Sequence, residues 1–259
     1  MLLAVDIGNT NIVLGGLESG KISFVARLAT DRQKTEDQYT AELKSVLQLY
    51  WAHPEQIEGA IISSVVPQAL GAVKGAVQRV MGKTPLIVGP GVKTGLNIAV
   101  ENPASVGADL IVCAVAAAAE YHPAPLVVVD MGTATTFTVV GEKGTFLGGS
   151  ICPGLVGSLN ALSAGASELP EVSLEGQLRL IGRNTPECMR SGALYGHAAM
   201  VDGMADRMEE ALGKPVTVVA TGGVARFVVP LCKRKVLYDE FLLLKGCGLI
   251  YRKNQPAKE

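Results

Sequence analysis

The chain has 259 residues, enough for two modest domains that each bury a core, with 48% hydrophobic residues, 18% charged residues and a net charge of −1. This balance excludes a disordered chain and a protein held on nucleic acid or acidic lipid by an overall basic field. Mean hydropathy is +0.31, yet no apolar run reaches the ~18 residues of a spanning helix, and the alanine-rich stretch 111–119 reads as a short buried helix. No basic segment precedes the first strand, which argues against a secretory signal and for the cytoplasm. The cysteines Cys113, Cys152, Cys188, Cys232 and Cys247 are scattered without a Cys-x-x-Cys pair, so they read as reduced thiols rather than disulfides or a zinc site.

In chain order, an apolar strand at 2–5 runs into Asp6-Ile7-Gly8-Asn9-Thr10-Asn11, and a second strand ends in a hairpin turn at Glu18-Ser19-Gly20. A helix is predicted over 38–50 and a strand over 60–66 ahead of Pro67. Val106-Gly107-Ala108 forms a small-residue turn before a helix over 110–120. Tyr121-His122-Pro123-Ala124-Pro125 breaks that helix and marks a domain boundary. The opening pattern then recurs 124 residues on, with Asp130-Met131-Gly132-Thr133 for Asp6 to Asn9 and Glu142-Lys143-Gly144 for the hairpin turn. A helix over 195–212 carries Leu194, Met200, Val201, Met204 and Met208 at mostly helical spacing, which reads as core. A strand at 216–221 ends in Gly222-Gly223, a last helix includes 246–251, and a loose polar tail is expected after Lys253. The reading is therefore α/β: two similar domains, residues 1–118 and 124–253, with a cleft between them.

A strand that ends in Asp-x-Gly and turns straight back aims backbone N–H groups at one point, and glycine lets a phosphate approach them closely. Gly8 and Gly132 supply that approach, and Asn9, Thr10, Asn11, Thr133, Thr135 and Thr136 supply short donors. Asp6 can hold a hydrated Mg²⁺, an ion that favours a carboxylate, waters and phosphate oxygens. Asp130 can bind another cation or orient water.

These two motifs resemble the phosphate motifs of the actin, sugar kinase and heat-shock ATPase superfamily, and more narrowly those of the type III pantothenate kinase family. The resemblance continues in order through Ser64-Val65-Val66-Pro67, Asn102-Pro103, Val106-Gly107-Ala108-Asp109, Gly148-Gly149-Ser150, Gly182-Arg183-Asn184-Thr185, Ser191-Gly192 and Thr221-Gly222-Gly223. It implies two duplicated actin-like ATPase (ribonuclease H-like) domains and ATP-dependent phosphorylation of pantothenate, the first step toward coenzyme A. It further implies that Asp6, Gly8, Asn9, Thr10, Asn11 and Val13 bind ATP phosphates and Mg²⁺, with Gly132 and Thr133 also on the nucleotide. Gly222 and Gly223 look like the adenosine-side turn, a plain helix-opening turn being the other reading. Asp130 resembles the family's monovalent cation ligand, implying dependence on K⁺ or NH₄⁺.

Phosphoryl transfer also needs a group to take the acceptor's proton. Asp109 is the candidate, since it follows a turn small enough for a bound alcohol, and the resemblance gives it the same role; it also suits a helix N-cap. Gly107, Ala108, Asp109 and Leu110 would line the acceptor site. Thr185 matches a residue that reaches the substrate across a homodimer interface, against a helix N-cap with Pro186 as the first helical residue. The apolar segment 155–162 could supply interface surface. Three positions depart from the family: Leu110 stands for an arginine, Val100 for an aromatic and Thr138 for an acid. Arg183 and Arg190, near Thr185, are candidate substitutes for that arginine if they come from a neighbouring subunit. His53, His122 and His197 form no ligand pair, and Lys143 and Lys233-Arg234-Lys235 read as solvated turns. Two alternatives stay open beside the pantothenate reading: a kinase of another small alcohol, and a non-catalytic nucleotide-binding regulatory relative.

Overall fold

Runs such as Leu126-Val127-Val128-Val129, rich in β-branched residues and free of polar interruption, form central strands buried on both faces. The computed structural model describes residues 1–166 and 168–256. The chain divides into two compact units. One holds Met1–Asn97, Glu101–Ala116 and the segment from Phe241 onward; the other holds Ile98–Val100 and Ala117–Glu240.

In the first unit, strands β1 (Leu2–Ile7), β2 (Asn11–Glu18) and β3 (Lys21–Ala29) form an antiparallel meander. Helix α1 (Glu36–Leu49) follows, opened by a capping box between Thr35 and Gln38. Strand β4 (Gly59–Ser64) runs parallel to β1, helix α2 (Pro67–Met81) has Pro67 in its first turn, and short β5 (Leu86–Ile87) closes the order β3-β2-β1-β4-β5. Leu3, Val5, Ile7, Ile12, Leu14 and Ile62 pack against Tyr39, Leu43 and Leu47 of α1 and Val73 and Val77 of α2. Strand β6 (Asn97–Ile98) and helix α3 (Ala108–Glu120) follow.

The second unit repeats the plan. Strands β7 (Leu126–Met131), β8 (Ala134–Val140) and β9 (Thr145–Pro153) form its meander, followed by helices α4 (Leu155–Gly165) and α5 (Thr185–Leu212). Strand β10 (Thr217–Thr221) lies parallel to β7 and β11 (Val236–Tyr238) parallel to β10, separated by the short helix α6 (Ala225–Val228). The sheet order is β11-β10-β7-β8-β9-β6. Val127, Val129, Met131 and Phe137 pack against Leu194, Ala198, Val201 and Ala205 of α5. Both hairpin turns place consecutive residues at positive φ, Ser19 (49°) with Gly20 (81°) and Lys143 (57°) with Gly144 (68°).

Several expectations are corrected. The last helix, α7 (Leu242–Lys253), belongs to the first unit rather than to a domain ending at 253. It covers the sheet face opposite α1 and α2: Leu244 fills the space a Cβ on Gly15 would need, Tyr251 does so at Gly59, and Gly246 lets α7 approach the carbonyl of Val112 in α3. Asn254 is tied down, its side chain accepting from Lys93 N (3.0 Å) and donating to Lys93 O (2.9 Å); residues 257–259 of the expected tail lie outside the described residues. Helix α5 begins ten residues before the expected 195. Arg234 is no solvated turn residue: its guanidinium pairs Asp206 (2.8 Å) and Glu209 (2.7 Å) and ties the segment before β11 to α5.

Candidate active site

The first unit puts Asp6 near the end of β1 and follows it with a turn closed by Gly8 N donating to Asn11 O (3.0 Å). A Cβ on Gly8 would stand 3.1 Å from that oxygen, so glycine suits the turn. Asn9, Thr10 and Asn11 are exposed at its tip. The end of β3 braces it, with Thr30 Oγ1 donating to Gly8 O (2.7 Å), Thr30 N to Thr10 O (3.0 Å) and Arg32 Nη2 to Asn9 Oδ1 (3.1 Å). Sequence reading missed Thr30 and Arg32, because the pairing of β2 with β3 alone brings them to the turn.

In the second unit Asp130 occupies the matching place on β7, but the turn is one residue tighter, with Gly132 N donating to Ala134 O (2.9 Å). The gapless repeat in the sequence therefore conceals a change of register. Val13 stands opposite Asp6, whereas Thr136 stands opposite Asp130. Two further glycines close on this turn. Gly154 sits where a Cβ would collide with the carbonyls of Thr133 and Gly132. Gly222, at φ +96°, would place a Cβ 2.5 Å from Met131 O and 2.6 Å from Asp130 Oδ1. Gly223 meets nothing within 4 Å. Of the two glycines, then, only Gly222 is demanded by the fold, and it lies against the Asp130 carboxylate.

Asp109 lies in the first turn of α3, its Oδ1 accepting from Leu110 N at 2.8 Å. Gly107 makes room for it, since a Cβ there would lie 2.5 Å from Asp109 Oδ1 and 3.7 Å from Val65 Cγ1. Burial pushes the Asp109 carboxyl above its ordinary value of 3.8, and backbone N–H bonds from Leu110 and its own amide pull it partly back. A raised carboxyl suits a proton acceptor near neutral pH.

Thr185 is not the N-cap of its helix. Asn184 takes that place, its side chain accepting from Glu187 N (3.0 Å), while Glu187 accepts from Arg183 N (3.0 Å). Thr185 is the first residue of α5, exposed, and lines a cavity of about 690 Å³ within the second unit, together with Leu155, Leu159, Leu162, Met189 and His197. The Nδ1 of His197 lies 2.8 Å from Ala193 O. Arg190 is committed elsewhere, donating to Ser173 O (2.8 Å) and Gln177 O (3.1 Å), whereas the Arg183 side chain is exposed. Thr138 is buried on β8, and Val100 sits beside Gly148. Among the described residues no three His, Cys, Asp or Glu side chains cluster as a metal cage. Asp6 and Asp130 belong to no such cluster; a single carboxylate suits a cation that shares its shell with waters and phosphate oxygens. No helix among the described residues is long and apolar enough to cross a membrane.

The first sheet has the order 3-2-1-4-5 and the second repeats it with β6 added beside β9; with an Asp-x-Gly turn after the first strand of each, they define a duplicated actin-like ATPase fold. The backbone is similar to (R)-2-hydroxyglutaryl-CoA dehydratase component A of Acidaminococcus fermentans, with a TM-score of 0.57, 17% identity and 96% of each chain covered. The family model for type III pantothenate kinase matches residues 2–207. Type III pantothenate kinases of Exiguobacterium sp. and Moorella thermoacetica are 46% and 43% identical, over 98% of this chain and 100% of each relative. The chain belongs to the type III pantothenate kinase family.

Proposed function

We infer that the protein transfers the γ-phosphoryl group of ATP to the terminal hydroxyl of pantothenate, giving 4′-phosphopantothenate and ADP. Kinship along nearly the whole chain carries this reading, and the three carboxylates Asp6, Asp109 and Asp130 at the ends of their elements support it. The turn of residues 8–11 and Val13 bind the phosphates through backbone N–H groups and short side chains, and Arg32 adds positive charge at Asn9. Asp6 holds Mg²⁺, which when bound neutralises phosphate charge. Asp109 accepts the proton of the pantothenate hydroxyl as its oxygen bonds to the γ-phosphorus and the bond from that phosphorus to the β,γ-bridging oxygen breaks. Gly107 and Ala108 leave space for the acceptor, and Leu110 lines it.

Gly132, Thr133 and Gly223 contact the nucleotide, Gly222 seats Asp130, and Asp130 holds the monovalent cation, K⁺ or NH₄⁺. The enzyme acts in the cytoplasm as a homodimer, with Thr185 of one copy reaching the substrate of the other. Support for that assembly comes from the exposed Ile151, Val156 and Leu162. The test is ADP release by the purified protein across a panel of alcohols. Release with pantothenate supports the reading; turnover with another alcohol alone, or nucleotide binding without turnover, removes it.

A further inference from the structure

We propose that Ser63 is a positioning residue for the Mg²⁺ held by Asp6, its hydroxyl accepting a hydrogen bond from a water of the ion's hydration shell. This rests on the assignment of Asp6 above. Strand β4 reads Gly-Ala-Ile-Ile-Ser-Ser and turns polar at the residue paired with Asp6. In that parallel register the two side chains leave the same sheet face from strands ~4.8 Å apart. This is the face covered by α7, whose buried Cys247 lies within the field of Asp6.

Ser63 is 0% exposed, and its Oγ has no hydrogen-bond partner in the protein. Its neighbour Ser64 differs, accepting from Val66 N at 3.1 Å. A buried hydroxyl without a protein partner points to an ordered water or ion. Beside a carboxylate that serves a reluctantly dehydrated cation, a water of that cation is the fitting partner. The second unit places a hydroxyl in the same position: Thr221 of β10 pairs with Asp130 as Ser63 of β4 pairs with Asp6, and it is 3% exposed.

The test measures Mn²⁺ binding to the protein with a non-hydrolysable ATP analogue, by electron paramagnetic resonance, in Ser63→Ala, Ser63→Thr and Asp6→Asn. Ser63→Ala should bind Mn²⁺ about tenfold more weakly, as loss of one hydrogen bond to a cation-polarised water predicts. Its kcat at saturating Mg²⁺ should stay within about twofold of wild type, because an interaction with the bound ion is lost and not one made only in the transition state. Ser63→Thr restores the hydroxyl as threonine does at 221, and should recover the affinity. Unchanged Mn²⁺ affinity in Ser63→Ala, with Asp6→Asn weakened, overturns the role of Ser63 alone. An equal loss in Ser63→Ala and Ser63→Thr traces the effect to packing and overturns it too. Unchanged affinity in Asp6→Asn removes the underlying assignment of Asp6.

Discussion

Replacing Gly222 by alanine tests the second Asp-x-Gly turn at its tightest point. The new Cβ would stand 2.5 Å from Met131 O and 2.6 Å from Asp130 Oδ1, at a φ of +96°. Holding a non-glycine residue in that backbone region costs about 1–3 kcal/mol. Pushing well-packed neighbours aside costs about 1–3 kcal/mol more. A total near 4 kcal/mol corresponds to a fall in Tm of roughly 10 °C for a chain of this size. The carboxylate of Asp130 is one of the two groups that must move, so the K⁺ concentration for half-activation should rise as well. Gly223→Ala is the matched control: nothing lies within 4 Å of the added methyl, and stability should change by less than about 1 kcal/mol, in the stabilising direction. Thermal melting of the two variants, with a K⁺ titration of activity, makes the comparison. A Gly222→Ala protein that melts within about 2 °C of wild type and keeps its K⁺ response would refute the packing argument.

Asp109→Asn should lower kcat by ~10²–10⁴ while preserving nucleotide binding; retention of more than a third of wild-type kcat would reject the base assignment. The same variant should melt higher than wild type at neutral pH. The folded-state carboxyl is raised by burial, so the folded protein binds the proton more tightly and wild-type stability falls as pH rises through the folded value. The advantage of the variant should shrink on acidification and vanish below about 3.8; an advantage independent of pH would contradict the cause given. Leu110→Arg should lower KM for pantothenate about tenfold, a charge-assisted bond to its carboxylate being worth that much, and no gain in kcat/KM would show that the pocket is not built around that carboxylate. Asp130→Asn should abolish the difference between K⁺ and Na⁺ as activators, and equal rates with the two ions in wild type would remove the cation role. Sedimentation at micromolar concentration should give a dimer, and a monomer would exclude Thr185 acting across an interface.

The duplication is legible in the sequence because its two carriers are local: an apolar strand and an Asp-x-Gly turn that directly follows it. What lies outside the sequence pattern depends on tertiary pairing. The one-residue tightening at Gly132 leaves no gap in the sequence, and spacing alone matches Val13 with Phe137. Strand register instead puts Thr136 opposite Asp130, as Val13 stands opposite Asp6, and sends Phe137 into the core opposite Val129. Periodicity starts helix α5 too late because its first two turns, with Pro186, Glu187, Arg190 and Gly192, carry no apolar stripe. Its cap is ambiguous by one residue because Asn184 and Thr185 are both capping types, and only the bond from Glu187 N separates them. Helix α7 joins the first unit although it follows the second, since chain order says nothing about which sheet face is left uncovered. Thr30, Arg32 and Ser63 reach the first Asp-x-Gly turn and Asp6 through strand pairing alone, with no motif to announce them.

The central claim is tested most directly by incubating the purified protein with ATP, Mg²⁺, K⁺ and pantothenate and following the product by ³¹P NMR and mass spectrometry. The account predicts ADP and a pantothenate heavier by one phosphoryl group, formed in equal amounts, with the phosphate on the terminal hydroxyl. ADP formed without phosphorylated pantothenate, or no turnover in the presence of bound nucleotide, would contradict it.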